Sequence, residues 1–495
     1  MAPNRTARVS GRPSDARRPA AGPPVVGTVI NMWMRPVRRG ALLGLLPLTL
    51  AFAAVPPRDW VPMRWNWSDP KSLELLSGSP VNCLLLKSWT PELAEAAAAR
   101  GAVTLAVITP GTDAAAEAAR AAASKLNGIV LEGDFPDGIA AKLQSAMAGA
   151  VIELPSRNRM RLGTDAPVIG TYQGVWPGIQ VQDNGAVKAG PSGSAWVDTN
   201  TGFIRAVRAW GDTPLWIANQ PPPSTVLTGD RYLQVIADAA ISGARWVIAL
   251  DDELRGCLAK REPAALNDWK RMGQLLSYFE QHPEWRGMRS YGKLAIVQDP
   301  AKGGLLSGGI LDMIAAKHTP VRPIPRERLT PESLAGTTMA VNVDADALTP
   351  QQREVLRGFT RGGGTLLTGP PGWKDEGAEG NNITLEKKEL DRLNDIWHDV
   401  NSMVGRKNLG VRLFNVSSML SNLLATPDGK QVVVHLVNYS GYPIENVTVH
   451  FLGNYGKATL LTPEGTQKSL EIYPAEDGSG VDLDKVGVCA TVILN

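Results

Sequence analysis

From Val81 onward, short apolar runs alternate with stretches of helical periodicity, the pattern of βα units feeding a parallel sheet. Eight runs read as strands: Val81–Leu86, Val103–Ile108, Gly128–Leu131, Ala150–Leu154, Val168–Tyr172, Ala195–Val197, Leu215–Ala218 and Arg245–Leu250. The intervening periodicity predicts helices over Pro91–Arg100, Asp113–Leu126, Gly138–Met147, Gly202–Trp210, Gly229–Ile241 and Ala264–Gln281. Thr90 before Pro91 is a helix cap followed by proline at the first helical position. Eight such strands fit a compact (β/α)8 TIM barrel over residues 55–289, with a doubly wound open sheet as the competing architecture. No Gly-x-Gly-x-x-Gly or Walker loop follows any of them, so nucleotide binding gets no support.

The pattern then changes twice. Residues 290–373 read as a smaller α/β domain, with strands at Leu294–Gln298, Met339–Val343 and Thr365–Thr368 and an extended piece at Pro320–Ile324. Its helices fall at Ile310–Lys317 and Thr349–Thr360, and Gly362-Gly363-Gly364 ends the second. Residues 374–407 form a polar linker with a helix over Leu385–Val400. Beyond Leu409, alternation and turns take over, with the hairpin signal Asp428-Gly429, and residues 408–495 read as a β-sandwich.

Charge separates the first 54 residues from the rest. They hold eight Arg against the single acid Asp15, which leaves 43 basic and 47 acidic of the chain's 51 and 48. A mildly acidic remainder carries no electrostatic footprint for nucleic acid. Residues 1–31 read as a disordered leader. Arg35, Arg38 and Arg39 then precede the apolar run Ala41–Ala54, with Ala51-Phe52-Ala53 as a small-x-small cleavage pattern. The run falls short of the ~20 residues that span a bilayer. A Sec or twin-arginine export signal to the periplasm or beyond is therefore expected, and membrane contact arises only if the segment stays uncleaved. Three widely spaced Cys and five unpaired His give neither a disulfide framework nor a zinc pattern, so no metal and no cofactor is expected.

Two segments carry a resemblance. Leu348–Gly369, a helix, glycine turn and strand, and Val432–Tyr439 with Ile444–Val449 resemble parts of the β-galactosidases that trimerise through a glutaminase-like domain. The resemblance implies the order TIM barrel, flavodoxin/glutaminase-like α/β domain, β-sandwich. It also implies a carbohydrate substrate, hydrolysis of O-glycosidic bonds and a homo-oligomer formed through the α/β domain. Residues 290–373 contain no Cys, so glutaminase chemistry is not implied and the domain reads as structural. Those enzymes place Asn-Glu after the fourth strand and a nucleophilic Glu after the seventh. Here the fourth predicted strand ends Val151-Ile152-Glu153 and the seventh runs into Asn219-Gln220, so neither role is carried over.

Barrel chemistry sits at the C-terminal ends of strands, and glycoside cleavage needs two carboxyls there. Glu153 with Asp198 is one pair; Glu132 with Glu153 is another, and Asp251 or Asp252 serves as second carboxyl in either. Trp176, Asn200, Asn219, Asp251 and Trp89 are the substrate-binding candidates, since amides and flat indole faces suit sugar rings. Bland readings stand beside these. Glu132 and Glu153 are then ions satisfied by Arg157 or Lys87, Asp198 or Thr199 caps a helix, and Asp251-Asp252-Glu253 is a solvated loop. Trp176 is either a sugar platform or a loop plug, and Trp60, Trp65 and Trp67 pack the barrel's base. A carbohydrate-binding relative without catalysis and an envelope scaffold are the competing functions.

Overall fold

The computed structural model describes residues 55–181, 184, 186–189, 199–298, 319–342, 348–368, 387–416, 418–476 and 478–495. The first part is a set of parallel strands: β1 (Pro62–Arg64), β2 (Cys83–Leu86), β3 (Val103–Ile108), β4 (Gly128–Glu132), β5 (Ala150–Leu154) and β6 (Ile169–Thr171). A short antiparallel hairpin, β7 (Ile179–Val181) and β8 (Val187–Ala189), follows, and β9 (Leu215–Ala218) and β10 (Arg245–Val247) complete the series. They form a five-stranded sheet in the order β1-β2-β3-β4-β5 and a three-stranded sheet in the order β10-β9-β6.

The sheets meet at a parallel bridge between Met63 and Ile248, with Arg64 N–H donating to the Ile248 carbonyl at 2.8 Å. At the far edges, Tyr172 N–H donates to the Pro155 carbonyl at 3.3 Å. Helices cover one face: α1 (Pro91–Ala99), α2 (Ala114–Ala123), α3 (Ile139–Ala146), α4 (Thr201–Arg208), α5 (Gly229–Ala240), α6 (Asp252–Ala259) and α7 (Pro263–Glu280). Thr90 caps α1 as its sequence predicts, its hydroxyl accepting from Leu93 N–H at 3.2 Å.

Strand alternation builds two cores. Leu105, Val130, Ile152, Leu154, Trp216 and Val247 share the helix-free interior, while Ile108, Leu131, Val151, Ile217 and Trp246 pack with the helices. Packing at β6 requires glycine: a Cβ on Gly170 would lie 2.5 Å from both Leu154 Cδ2 and the Trp216 carbonyl oxygen.

The expected strand count needs one correction. Pro62–Arg64 is the first strand, which moves Val81–Leu86 to second place and Ala150–Leu154 to fifth. Three residues between Val61 and Trp65 are too few for periodicity to register. The expected strand Ala195–Val197 lies outside the described residues. Trp60 does fill the interior, 6.2 Å from Trp216. Trp65 and Trp67, in contrast, follow the C-terminal end of β1 rather than precede it.

The chain next forms β11 (Arg289–Ser290) and then a four-stranded parallel sheet of β12 (Leu294–Gln298), β13 (Val321–Pro325), β14 (Met339–Asn342) and β15 (Thr365–Thr368), in the order β13-β12-β14-β15. Helix α8 (Pro350–Arg361) starts with a complete Thr349–Gln352 capping box and buries Leu356 with Ala295, Val297 and Ala340. Helix α9 (Lys387–Val404) brings Ile396 and Val400 to Leu294, Ile296 and Val341, a cluster that includes Ala206 of α4. The sheet is thus covered on both faces, as parallel sheets require. The expected helix Ile310–Lys317 lies outside the described residues.

The last strands are β16 (Val411–Phe414), β17 (Met419–Ala425), β18 (Val432–Asn438), β19 (Ile444–Leu452), β20 (Ala458–Leu461), β21 (Gln467–Leu470), β22 (Tyr473–Ala475), β23 (Gly478–Val486) and β24 (Cys489–Leu494). Two antiparallel sheets, β11-β17-β18-β24-β20-β21 and β16-β19-β23-β22, enclose a shared core of Val434, Leu436, Val449, Phe451, Val481 and Val492. Helix α5 docks on this part: Gln234 Nε2 donates to the carbonyls of Asn438 (3.1 Å) and Ser440 (2.9 Å).

Candidate functional site

Glu132 ends β4, and its register partner is Leu154 of the interior. It therefore points inward at the C-terminal ends of the parallel strands. Arg64 ends β1, and its guanidinium reaches Glu132 through two hydrogen bonds, Nη1–Oε2 at 2.6 Å and Nη2–Oε1 at 2.8 Å. Since β2 and β3 separate these strands in the sheet, the bidentate pair crosses the interior. Two residues after Glu132, half-buried Asp134 accepts from Ser156 N–H (2.9 Å) and Oγ (3.0 Å) through one oxygen. Tyr172 stands just past β6. Burial first, and then the negative charges of Asp134 and Glu132, push its phenol above the usual tyrosine range. Arg64, Glu132, Asp134 and Tyr172 thus form one polar cluster.

The remaining predicted carboxylates go elsewhere. Glu153 pairs in register with Leu131, on the opposite face of the sheet from Glu132. It lines a cavity of about 190 Å³ with Asp137, Arg159 and Met160, so Glu132 and Glu153 are not brought together. Asp198 lies outside the described residues. Asp251 is buried and spoken for: Oδ1 caps α6 at Leu254 N–H (2.8 Å), and Oδ2 accepts from Leu227 N–H (2.9 Å) and the Tyr232 hydroxyl (2.7 Å). Asp252 is exposed and pairs with Arg255 at 2.9 Å.

The binding candidates are mostly internal. Trp176 is buried, edge-on to Trp246 (5.0 Å) and Tyr232 (5.7 Å), and its Nε1 donates to the Gln220 carbonyl at 2.9 Å. That is the geometry of a loop plug. Asn200 is fully buried, accepting from Arg157 Nη2 (3.1 Å) and Val175 N–H (2.7 Å) and donating to Asp238 Oδ2 (2.8 Å). Asn219 donates to the Gly174 carbonyl at 2.6 Å, and half-buried Trp89 carries the Arg120 guanidinium 3.7 Å above its ring. Glu132 is satisfied by Arg64 rather than by Arg157 or Lys87.

Arg64 carries no signal in the sequence because its three-residue strand is too short for periodicity to register, and Tyr172 falls inside the predicted strand Val168–Tyr172 but stands just past β6. Among the described residues, no group of three or more His, Cys, Asp or Glu could hold a metal ion, and no helix is long and apolar enough to cross a membrane. The cluster brings together two carboxylates, a phenol and a guanidinium, with both oxygens of Glu132 taken up by Arg64.

No protein-family model matches the chain, and no curated protein sequence matches it. Solved structures do share its fold. An α-L-fucosidase, isoenzyme 2 from Paenibacillus thiaminolyticus, superposes with a TM-score of 0.57 at 9% identity, over 88% of this chain and 99% of that one. A cold-adapted β-galactosidase from Rahnella sp. R3 gives 0.52 at 9% identity, over 88% and 98%.

Proposed function

We propose that this chain is an exported glycoside hydrolase-like protein whose saccharide site is the polar cluster of Arg64, Glu132, Asp134 and Tyr172. The observation that carries the reading is that cluster, held at the C-terminal strand ends of a fold shared with a fucosidase and a β-galactosidase. In this reading the eight parallel strands close as a (β/α)8 barrel. The Met63–Ile248 bridge and the Tyr172–Pro155 hydrogen bond support closure at its two seams. With β1 counted, the fourth strand ends in Glu132, the place where the resembling β-galactosidases carry a catalytic Glu, although Leu131 stands where they have Asn.

Hydrolysis needs a second carboxyl, ~5–5.5 Å away for retention or ~6.5–9.5 Å for inversion. Asp134 is the nearest in sequence, and Asp198 is retained as its rival. Glu153 and Asp252 rank behind both, one facing the helices and the other exposed on α6. A panel of nitrophenyl glycosides tests the assignment with Asp134→Asn, Asp198→Asn and Glu132→Gln, each checked for folding by circular dichroism. Full activity in all three variants would sink it. Export rests on residues 35–54, and sequencing the N-terminus of the secreted protein tests it. Assembly through residues 290–373 is proposed likewise, with light scattering as its test.

One observation favours a second reading, a saccharide-binding protein without hydrolysis. Both Glu132 oxygens are engaged by Arg64. Sugar binding by calorimetry without turnover of any glycoside would support it.

A further inference from the structure

Six arginines from separate parts of the chain line one cavity of about 320 Å³. Arg205 and Arg208 come from α4, Arg286 from the turn Pro283–Gly287, Arg289 from β11, Arg322 from β13 and Arg328 from the turn that follows. Among the described residues no Asp or Glu lines it, and Met288, Ile324 and Leu424 supply an apolar wall.

Among the described residues, Asp238 acts on Arg205, and the other carboxylates that meet these arginines are shared out. Asp212 serves Arg208 at 3.2 Å and Arg289 at 2.7 Å, and Glu280 serves Arg286 at 2.6 Å and Arg245 at 2.8 Å. Among the described residues, Arg322 donates to neutral oxygens alone, the carbonyls of Ala335 (2.7 Å) and Ser333 (3.1 Å) and the Thr337 hydroxyl (3.3 Å). Arg328 donates to the Ala209 carbonyl at 3.1 Å and lies 5.1 Å over the Trp210 ring. Neither has a carboxylate partner among the described residues. Burial above all, and then Arg289 and Arg286, push the Arg208 guanidinium below its usual range against the pull of Asp212. Burial does the same to Arg322. Gathering like charges in a partly desolvated cavity is costly without a counter-charge.

We propose that this cavity is an oxyanion site, distinct from the strand-end cluster, that takes a compact molecule bearing a phosphate or sulfate group. Guanidinium forks match the geometry of tetrahedral oxyanions, and the apolar wall leaves room for a small organic body. The proposal does not depend on glycoside chemistry.

Calorimetric titration of the full chain with sodium pyrophosphate and with sodium sulfate tests it, against sodium chloride at equal ionic strength. Saturable binding at one site is expected, weakened roughly 10-fold or more by Arg322→Gln or Arg328→Gln and partly kept by the corresponding Lys variants. Should a Gln variant fail to fold, Arg289→Gln, an exposed position, takes its place. The proposal is overturned if neither oxyanion binds beyond chloride, or if the folded Gln variants bind as the parent does.

Discussion

The Tyr439 hydroxyl donates a 2.6 Å hydrogen bond to Asp238 Oδ1, tying the loop after β18 to α5 at a point closed to solvent. The other carboxylate oxygen accepts from Asn200 N–H at 2.9 Å and Asn200 Nδ2 at 2.8 Å. Tyr439→Phe keeps the ring and removes one donor from a buried acceptor. A loss of about 1–3 kcal/mol is expected in urea denaturation. Unchanged stability would mean that the bond makes no net contribution.

The Arg64–Glu132 pair predicts an asymmetry. Both side chains are nearly buried, at 6% and 13% exposure, so removing one partner strands the other. Arg64→Gln or Glu132→Gln alone should cost about 3–5 kcal/mol, while Arg64→Met with Glu132→Leu should recover most of it. The readout is a double-mutant cycle by chemical denaturation, and additive losses would contradict the prediction.

His435 makes stability sensitive to acid. Its Nδ1 meets Thr491 Oγ1 at 2.9 Å, and burial, followed by nearby His282, brings its pKa down to about 3. The native state favours neutral imidazole, whereas the unfolded chain takes up a proton near 6.5. The stability it contributes is complete above pH 6.5 and is lost as pH falls from there toward 3. His435→Leu should therefore show a shallower decline in denaturation midpoint between pH 7 and pH 4. Parallel declines would exclude His435 as the source.

Trp176 separates packing from sugar contact. As a buried plug against Trp246 and Tyr232, its replacement by Ala should cost about 3–5 kcal/mol, and by Phe distinctly less. A stable Trp176→Ala protein with weakened saccharide affinity would restore the platform role.

Legibility in the sequence followed segment length and periodicity. Val103–Ile108, Ala150–Leu154, Leu215–Ala218 and Thr365–Thr368 stand where their apolar runs predict, and α8 begins at the Thr349-Pro350 signal. Pro62–Arg64 was illegible because its hydrogen bonds come from β2 and from Ile248, both distant in the chain. At the site, a strand end shows which residues lie at the C-terminal edge of the sheet, and only the register shows which way they point. Glu132 and Glu153 look equivalent in sequence, yet Leu154 and Leu131 as their register partners place them on opposite faces. Arg64 as counter-ion, and Asp251 as cap and acceptor for Tyr232, depend on contacts between elements that no local pattern encodes.

β11 pairs antiparallel with β17, Arg289 opposite Ala425 and Ser290 opposite Leu424. The outermost strand of the larger sandwich sheet is therefore drawn from upstream of the α/β segment, which the chain inserts between one sandwich strand and the rest. A C-terminal piece cut at residue 408 would leave the β17 backbone unpaired along that edge, open to strand addition by another copy. The natural cut for an autonomous fragment lies before Arg289, and a sandwich carried without those two residues should be the more prone to self-association.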